Sequence, residues 1–509
     1  MKNNFFRIMF ILLVMILTLS VFISCAGKSD PIVNVTEASS ANNQTVSQSS
    51  GEENAATTEA KLEPNLPDMD FEGYTFTFLA HLYEGNDWVS PTPLELVADV
   101  ENSEPVNDAV YKRNLKIKEK YNIDIKMIPQ ADERGAMSKA VKSGDKTYDA
   151  VLMFGNNIPG IVTADLLTEV TNLPYLDLSK PWWDPAVTAL SVDHKNYLLG
   201  GDLLILDNEA TNALLFNKDL MAKLGIDLPY NLVKEGKWTM DAMNNIIKDG
   251  AADLNGDGAM TALEDRWGFC VFNDTLHALL VSGGGTLAAK DQNDIPYMDF
   301  TSQKNLSILD KVMNLMFNPE YVINAQSPPK GGMTPGDGFN IYTKGFNENR
   351  ILFLWIRMRV VEMFRGMESN FGIVPLPKAD ETQDKYYSVV NPWTNALLGV
   401  PKSADNLERV SVILEALAAE SRYTLQPAYY DVVLTRKYTR DAESEEMLNI
   451  IFNSRVYDIG AVYSFGNVFS GFNGLATKQD RNIVSMYDKN IGAMNKNIDK
   501  VVTIFQSMN

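Results

Sequence analysis

The first thirty residues constrain this chain most. Lys2 and Arg7 give a short basic start, Ile8 to Ile23 is an almost unbroken apolar run, and Ser24-Cys25 closes it. A basic start, an apolar core and a small-residue end are the three parts of a secretory signal peptide. The apolar core is too short, and its flanks are wrong, for a membrane-spanning helix. The chain beyond Cys25 is therefore expected to fold outside the cytoplasm. Residues 26 to about 66 are rich in Ser, Thr, Asn, Gln, Ala and Glu, with few large apolar side chains. Such a stretch cannot bury enough surface to offset its chain entropy. Residues 25–66 are thus expected to form a disordered tether, with the fold starting near Asp70.

Phe22-Ile23-Ser24-Cys25 resembles a bacterial lipobox, with Phe22 where leucine is usual. On that resemblance residues 1–24 are removed, and Cys25 takes a diacylglycerol and becomes the new N-terminus. Two or three acyl chains anchor stably, since each buried methylene adds about 0.8 kcal/mol. The expected location is extracytoplasmic, lipid-anchored to the cell membrane.

The 509 residues, 45% hydrophobic, suffice for two domains. The formal net charge is -20 and no Lys/Arg-rich block occurs. Nucleic acid is therefore excluded as a partner, because phosphate neutralisation needs clustered basic residues. The two cysteines are Cys25 and Cys270. With Cys25 lipidated, Cys270 has no partner, and its apolar setting, Trp267 to Phe272, predicts a buried inert thiol.

Alternation predicts strands over 74–79 and 123–128, and an apolar run predicts one over 148–154. Helices are predicted over 105–122 and 134–142. Strand, helix, strand, helix, strand is the grammar of a mostly parallel α/β sheet, whose ligands sit beyond the carboxyl ends of its strands. That rule points at residues 80–88 and 155–157. Residues 196–200 and 202–206 read as a pair of strands and 212–218 as another. Helices come next over 219–224, ending at Gly225, and 239–248, with Thr239 as N-cap.

The ordered motifs Leu214-Leu-Phe-Asn-Lys218, Leu224-Gly225, Gly236-Lys-Trp-Thr239, Trp267-Gly268 and Gly372-Ile-Val-Pro-Leu-Pro377 resemble the extracellular solute-binding proteins of family 1. These are the maltose-binding-protein-like, carbohydrate-binding lipoproteins of ABC importers. The resemblance spans about residues 70–509. It implies a two-lobe periplasmic-binding-protein-like α/β fold with a multi-crossing hinge and discontinuous lobes. Lobe 1 would be 67–207 with 390–425, and lobe 2 would be 208–388 with 426–509. The crossings would fall near 207–209, 386–393 and 423–430. The implied function is capture of an oligosaccharide or sugar between the lobes and delivery to an ABC permease, by a monomer that breaks no bond. The alternatives are a surface-anchored carbohydrate-active hydrolase, and a binding protein for a non-sugar solute or a sensor pathway.

Asp253 to Glu264 reads as a twelve-residue calcium loop, with Asp253, Asn255, Asp257, the Ala259 carbonyl, Thr261 and Glu264 at the ligand positions and Gly258 at the sharp turn. Without two long flanking helices or a paired loop, the expected role is a structural Ca2+ in lobe 2, remote from ligand.

Sugar rings pack a C–H face on aromatic side chains while polar groups bind their hydroxyls. The aromatic candidates are Tyr83, Trp88, Trp183, Trp355 and Trp393. In the family Trp355's position carries a sugar-stacking tryptophan. Trp182, Trp238 and Trp267 are expected in the core. The polar candidates are Glu84 and Asp87 beside Trp88, Asn156 and Asn157 after the third strand, Asn208 and Glu209 at the first crossing, and Arg357. His81, His194 and His277 are far apart, and no H-E-x-x-H, G-x-S-x-G, phosphate-binding loop or dinucleotide fingerprint occurs. No catalytic residue is selected.

Overall fold

Two five-stranded sheets carry the fold. The computed structural model describes residues 61–82, 93, 95–328, 338–435 and 442–508. The predicted signal, lipobox and most of the tether lie outside the described residues.

The first sheet has the order Ile123–Gln130, Tyr74–His81, Ala150–Phe154, Ala396–Pro401, Leu167–Thr168. Its first three strands are parallel, and Ala396–Pro401 returns antiparallel beside Ala150–Phe154. The second sheet has the order Phe371–Val374, Asn212–Asn217, Ile351–Arg357, Trp267–Val271, Val322–Asn324. There Val322–Asn324, Trp267–Val271 and Ile351–Arg357 run parallel, and Asn212–Asn217 runs antiparallel to Ile351–Arg357. Every residue of Ile351–Arg357 is buried, as expected of a strand covered on both faces.

Local chemistry sets the helices. Pro105 opens the helix Pro105–Tyr121, and Asn122 closes it with a left-handed φ of 49°. Thr239 accepts from the Ala242 N–H and caps Met240–Gly250. That helix lies so close to the second sheet that a Cβ on Gly268 would stand 1.9 Å from the Ile247 carbonyl oxygen.

Two expectations need correction. Residues 196–206 are not a strand pair. Leu199 bridges only to Leu398, and at Gly201 the chain turns with φ of 141°, where a Cβ would meet the Trp182 carbonyl at 2.3 Å. A short helix, Leu206–Glu209, then leads to the second sheet. The ordered chain also begins before Asp70. Lys61 pairs with Glu420 at 2.7 Å, the Leu62 N–H donates to the Tyr423 hydroxyl, and Phe71 stacks on Tyr121.

The core forms two apolar clusters. The smaller joins one face of the first sheet to the helix Leu407–Ser421 and to Trp182 and Trp183. The larger runs from the sheet's other face through the second sheet to the C-terminal helix Ile483–Ser507. Trp182, Trp238 and Trp267 are buried, as is Cys270, whose thiol burial pushes far above its ordinary pKa. Among the described residues no helix is long and apolar enough to cross a membrane.

Candidate functional site

The carboxyl edges of the two sheets meet at the segment 391–395. From the first sheet, the Gly155 N–H donates to the Asn395 carbonyl at 2.8 Å. A Cβ on Gly155 would stand 2.3 Å from the Trp393 carbonyl oxygen, so only glycine allows this approach. From the second sheet, Asp274 comes just after the strand Trp267–Val271, and its Oδ2 accepts from Asn391 Nδ2 at 2.9 Å. Asn391 Oδ1 in turn accepts from the Trp393 N–H at 3.0 Å and from the Thr394 hydroxyl at 3.3 Å. One carboxamide therefore ties the second-sheet edge to the Trp393 backbone. Trp393 is 48% exposed, with its ring edge on Phe469, and Asn156 beside it is also exposed. Burial raises the Asp274 pKa, partly offset by the Arg357 charge and the Asn391 hydrogen bond; burial lowers that of Arg357, which Asp274 opposes.

The sequence-predicted residues divide between this junction and elsewhere. Trp393, Asn156, Asn157 and Arg357 lie at or beside it. Tyr83, Glu84, Asp87 and Trp88 lie outside the described residues. Trp183 does not offer a ring to solvent: it is buried, and its indole N–H donates to Glu415 at 2.7 Å beside that of Trp182 at 2.9 Å. Trp355 is also a correction. It stands mid-strand in the second sheet, 1% exposed, against Phe272, and the Tyr342 hydroxyl donates to its carbonyl. Its strand is buried on both faces, so the ring is closed off from solvent in this structure.

Asn208 and Glu209 are buried in an ionic knot rather than sitting on a solvated loop. Arg455 pairs with Asp184 at 3.2 Å and with Asp207 at 3.5 Å, and donates to Asn208 Oδ1. Asn208 Nδ2 donates to Gln426 at 3.0 Å, and Arg359 approaches Glu209 at 3.6 Å. The knot gathers the first crossing, the helix Leu425–Thr435 and the strand Arg455–Val456, which pairs with Ser388–Val389 at the second crossing. With two carboxylates sharing one guanidinium, burial wins and Asp207 rises to about 7. Glu95 rises to about 7 by burial and by the charges of Glu209 and Asp207, and Asp202 to about 6. For Arg455, burial lowers the pKa but Asp207 and Asp184 outweigh it, so it is raised.

The predicted calcium loop has the turns the motif requires. Gly256 and Gly258 adopt φ of 75° and 81°. Asp253 accepts from the N–H groups of Gly256 and Gly258, and Asp257 from that of Ala259. Asn255 Nδ2 lies 3.3 Å from both Asp257 Oδ2 and Glu264 Oε2, so these carboxylates converge on one point. Asp253, Asp257 and Glu264 offer hard oxygens that fit Ca2+ in kind, whereas Asn255 faces them with its nitrogen while its Oδ1 accepts from the Asp257 N–H, so its carboxamide must turn over to serve as a ligand. Among the described residues, however, no group of three or more His, Cys, Asp or Glu stands close enough to hold a metal. Thr261 is turned to Asp265, a residue outside the motif, which accepts from its N–H and hydroxyl and from the Leu254 N–H.

Sequence reasoning passed over Asp274 and Asn391. The carboxyl-end rule, applied to the second sheet as to the first, flags Asp274. Asn391 falls within the crossing expected at 386–393, but its pairing with Asp274 has no sequence signal, because the partner stands 117 positions away.

No protein-family model matches the sequence, and no curated protein does. The fold does match solved structures. UspC from M. tuberculosis aligns with TM-score 0.54 at 14% identity over 83% of this chain and 100% of its own. A sugar transporter from Rhizobium etli in an open conformation aligns with TM-score 0.52 at 13% identity over 86% and 100%. A cyclo/maltodextrin-binding protein complexed with maltotetraose aligns with TM-score 0.51 at 14% identity over 85% and 96%. The chain therefore has the α/β fold of the periplasmic-binding-protein type, two sheet-centred halves joined by several chain crossings.

Proposed function

We propose that this chain is a solute receptor. It takes an oligosaccharide or sugar between the carboxyl edges of its two sheets, closes by bending at the crossings, and hands the ligand unaltered to an ABC permease. Cys25 carries the lipid that holds it outside the cell membrane. The observation that carries the reading is Trp393, a half-exposed indole at the junction of both edges, flanked by Asn156 and by the Asp274–Asn391 pair. An aromatic face beside convergent polar groups suits a sugar ring. The maltotetraose held by one structural neighbour supports the same class. A ligand touching both halves only when they close favours closure by population shift.

The test is a thermal-shift and calorimetric screen of the chain from Cys25 onward against oligosaccharides. Binding without new products by chromatography is expected. Hydrolysis products would turn the reading to a hydrolase. Trp393→Ala should weaken the sugar found by about 1 kcal/mol or more, roughly fivefold, with little change in melting temperature because the ring is half outside. Unchanged affinity would remove Trp393 from the site.

Within this reading the Asp253–Glu264 loop holds a structural Ca2+, through Asp253, Asn255, Asp257, the Ala259 carbonyl and Glu264. Bound to the folded state alone at a hundred times its dissociation constant, the ion would add about 2.7 kcal/mol. Calcium should raise the melting temperature, a chelator should reverse it, and Asp253→Ala should abolish the response. A melting temperature indifferent to both would remove the metal.

A further inference from the structure

The first-sheet side of the junction holds a side-chain group that the sugar reading has not used. Glu133 opens the helix Glu133–Ser143, and its side chain is fully buried. Its two oxygens are divided between neighbours on different strand ends. Oε2 lies 2.6 Å from His81 Nδ1, at the end of Tyr74–His81. Oε1 accepts from Asn157 Nδ2 at 2.7 Å, just beyond Ala150–Phe154. The His81 ring lies on Phe154, with centroids 5.5 Å apart and planes 13° apart, which fixes its orientation. Through Gly155, which packs on the Trp393 carbonyl, this group and the exposed indole are held by one piece of backbone.

An ionised carboxylate only accepts hydrogen bonds. Asn157 turns its Nδ2 to Glu133 and so its Oδ1 the other way, and a carboxylate that accepts on both oxygens calls for the His81 tautomer with its proton on Nδ1. We propose that Glu133 is a positioning residue of the ligand cleft. It turns the Asn157 carboxamide so that oxygen, not nitrogen, meets the ligand. The cleft then selects a saccharide that offers a hydroxyl proton at this point over one that offers an acceptor, such as a uronate carboxylate. The inference rests on the sugar-receptor reading. Arg134 is the neighbouring group that would favour an anion: it is exposed, and its Nη1 lies 2.7 Å from where a Cβ on Gly160 would stand. An acidic sugar in the test decides between them.

The experiment titrates the chain from Cys25 onward with maltotetraose, cellotetraose, xylotetraose, raffinose and tetragalacturonate by calorimetry. At least one neutral sugar should bind, and tetragalacturonate at least tenfold more weakly. Glu133→Gln puts an amide N–H against one of the two donors, so it should weaken the neutral sugar at least tenfold and, because the group is buried, also lower the melting temperature. Asn157→Ala should do the same, and the double variant should lose no more than either alone. Glu133→Gln binding like the wild type, additive losses, or a preference for tetragalacturonate would each overturn the inference and leave the receptor reading standing. Binding of no sugar by the wild type would overturn the receptor reading and this inference with it. Asn157→Ala, at a half-buried position, keeps the test open if Glu133→Gln does not fold. Nitrogen-15 spectra of His81 give a ligand-free check: a proton on Nδ1 is expected, and one on Nε2 alone would refute the geometry.

Discussion

Replacing Arg455 by Met should destabilise the folded chain by about 3–5 kcal/mol at pH 8, because it removes the one cation, among the described residues, that pairs with both Asp184 and Asp207 while leaving those carboxylates buried. Methionine keeps much of the volume, so the loss measures charge rather than a cavity. It would appear as a lower denaturant midpoint at unchanged slope. The loss should shrink at pH 5, where Asp207, with a pKa of about 7, is already protonated. A change under about 1 kcal/mol at pH 8 would mean that the knot tolerates its carboxylates unpaired, against the cost assigned to such groups.

The second large effect belongs to Glu95. Its carboxyl is fully buried and rises to about 7, mainly through burial and then through the charges of Glu209 and Asp207. The nearby Arg113 attracts it through charge but makes no hydrogen bond to the carboxylate, since that guanidinium donates to the Glu95 backbone carbonyl at 2.7 Å. In the unfolded chain a glutamate titrates near about 4.3. Between that value and about 7 the folded protein holds a proton that the unfolded chain has released. The stability linked to Glu95 is therefore whole below about pH 4 and is lost as the pH climbs through 7. Asp207 and Asp202, raised to about 7 and 6, act in the same direction. Glu95→Gln should stabilise the protein by about 2–3 kcal/mol at pH 8 and by under about 1 kcal/mol at pH 5. Denaturant midpoints at the two pH values check it; equal gains at both would contradict a buried, titrating carboxyl.

The parts of the fold legible in the sequence are those fixed locally. Pro105 at the start of its helix and Thr239 at the start of another mark boundaries within a residue or two, because the cap is made by the adjoining backbone. Residues 196–206 misled because two apolar runs look like strands whether or not a partner strand is available. What decides there is the turn at Gly201 against the Trp182 backbone. Trp355 misled for another reason. The family resemblance suggested an open ring, yet the unbroken apolar run Ile351 to Ile356 already signalled a strand covered on both faces. The polar contacts at the junction were least legible. Glu133 meets His81 across 52 positions, and Asp274 meets Asn391 across 117. Nothing in local pattern foretells such pairs until the sheets are assembled.

The strand Ala396–Pro401 sits inside the first sheet, between Ala150–Phe154 and Leu167–Thr168, although more than two hundred residues separate it from either in the chain. A polypeptide emerging amino end first cannot finish that sheet until this late piece arrives. Closing so long a loop is slow, so the first sheet is expected to set only after its last strand has been made. That is the condition a protein must meet if it is to be threaded unfolded through a narrow channel before it sets.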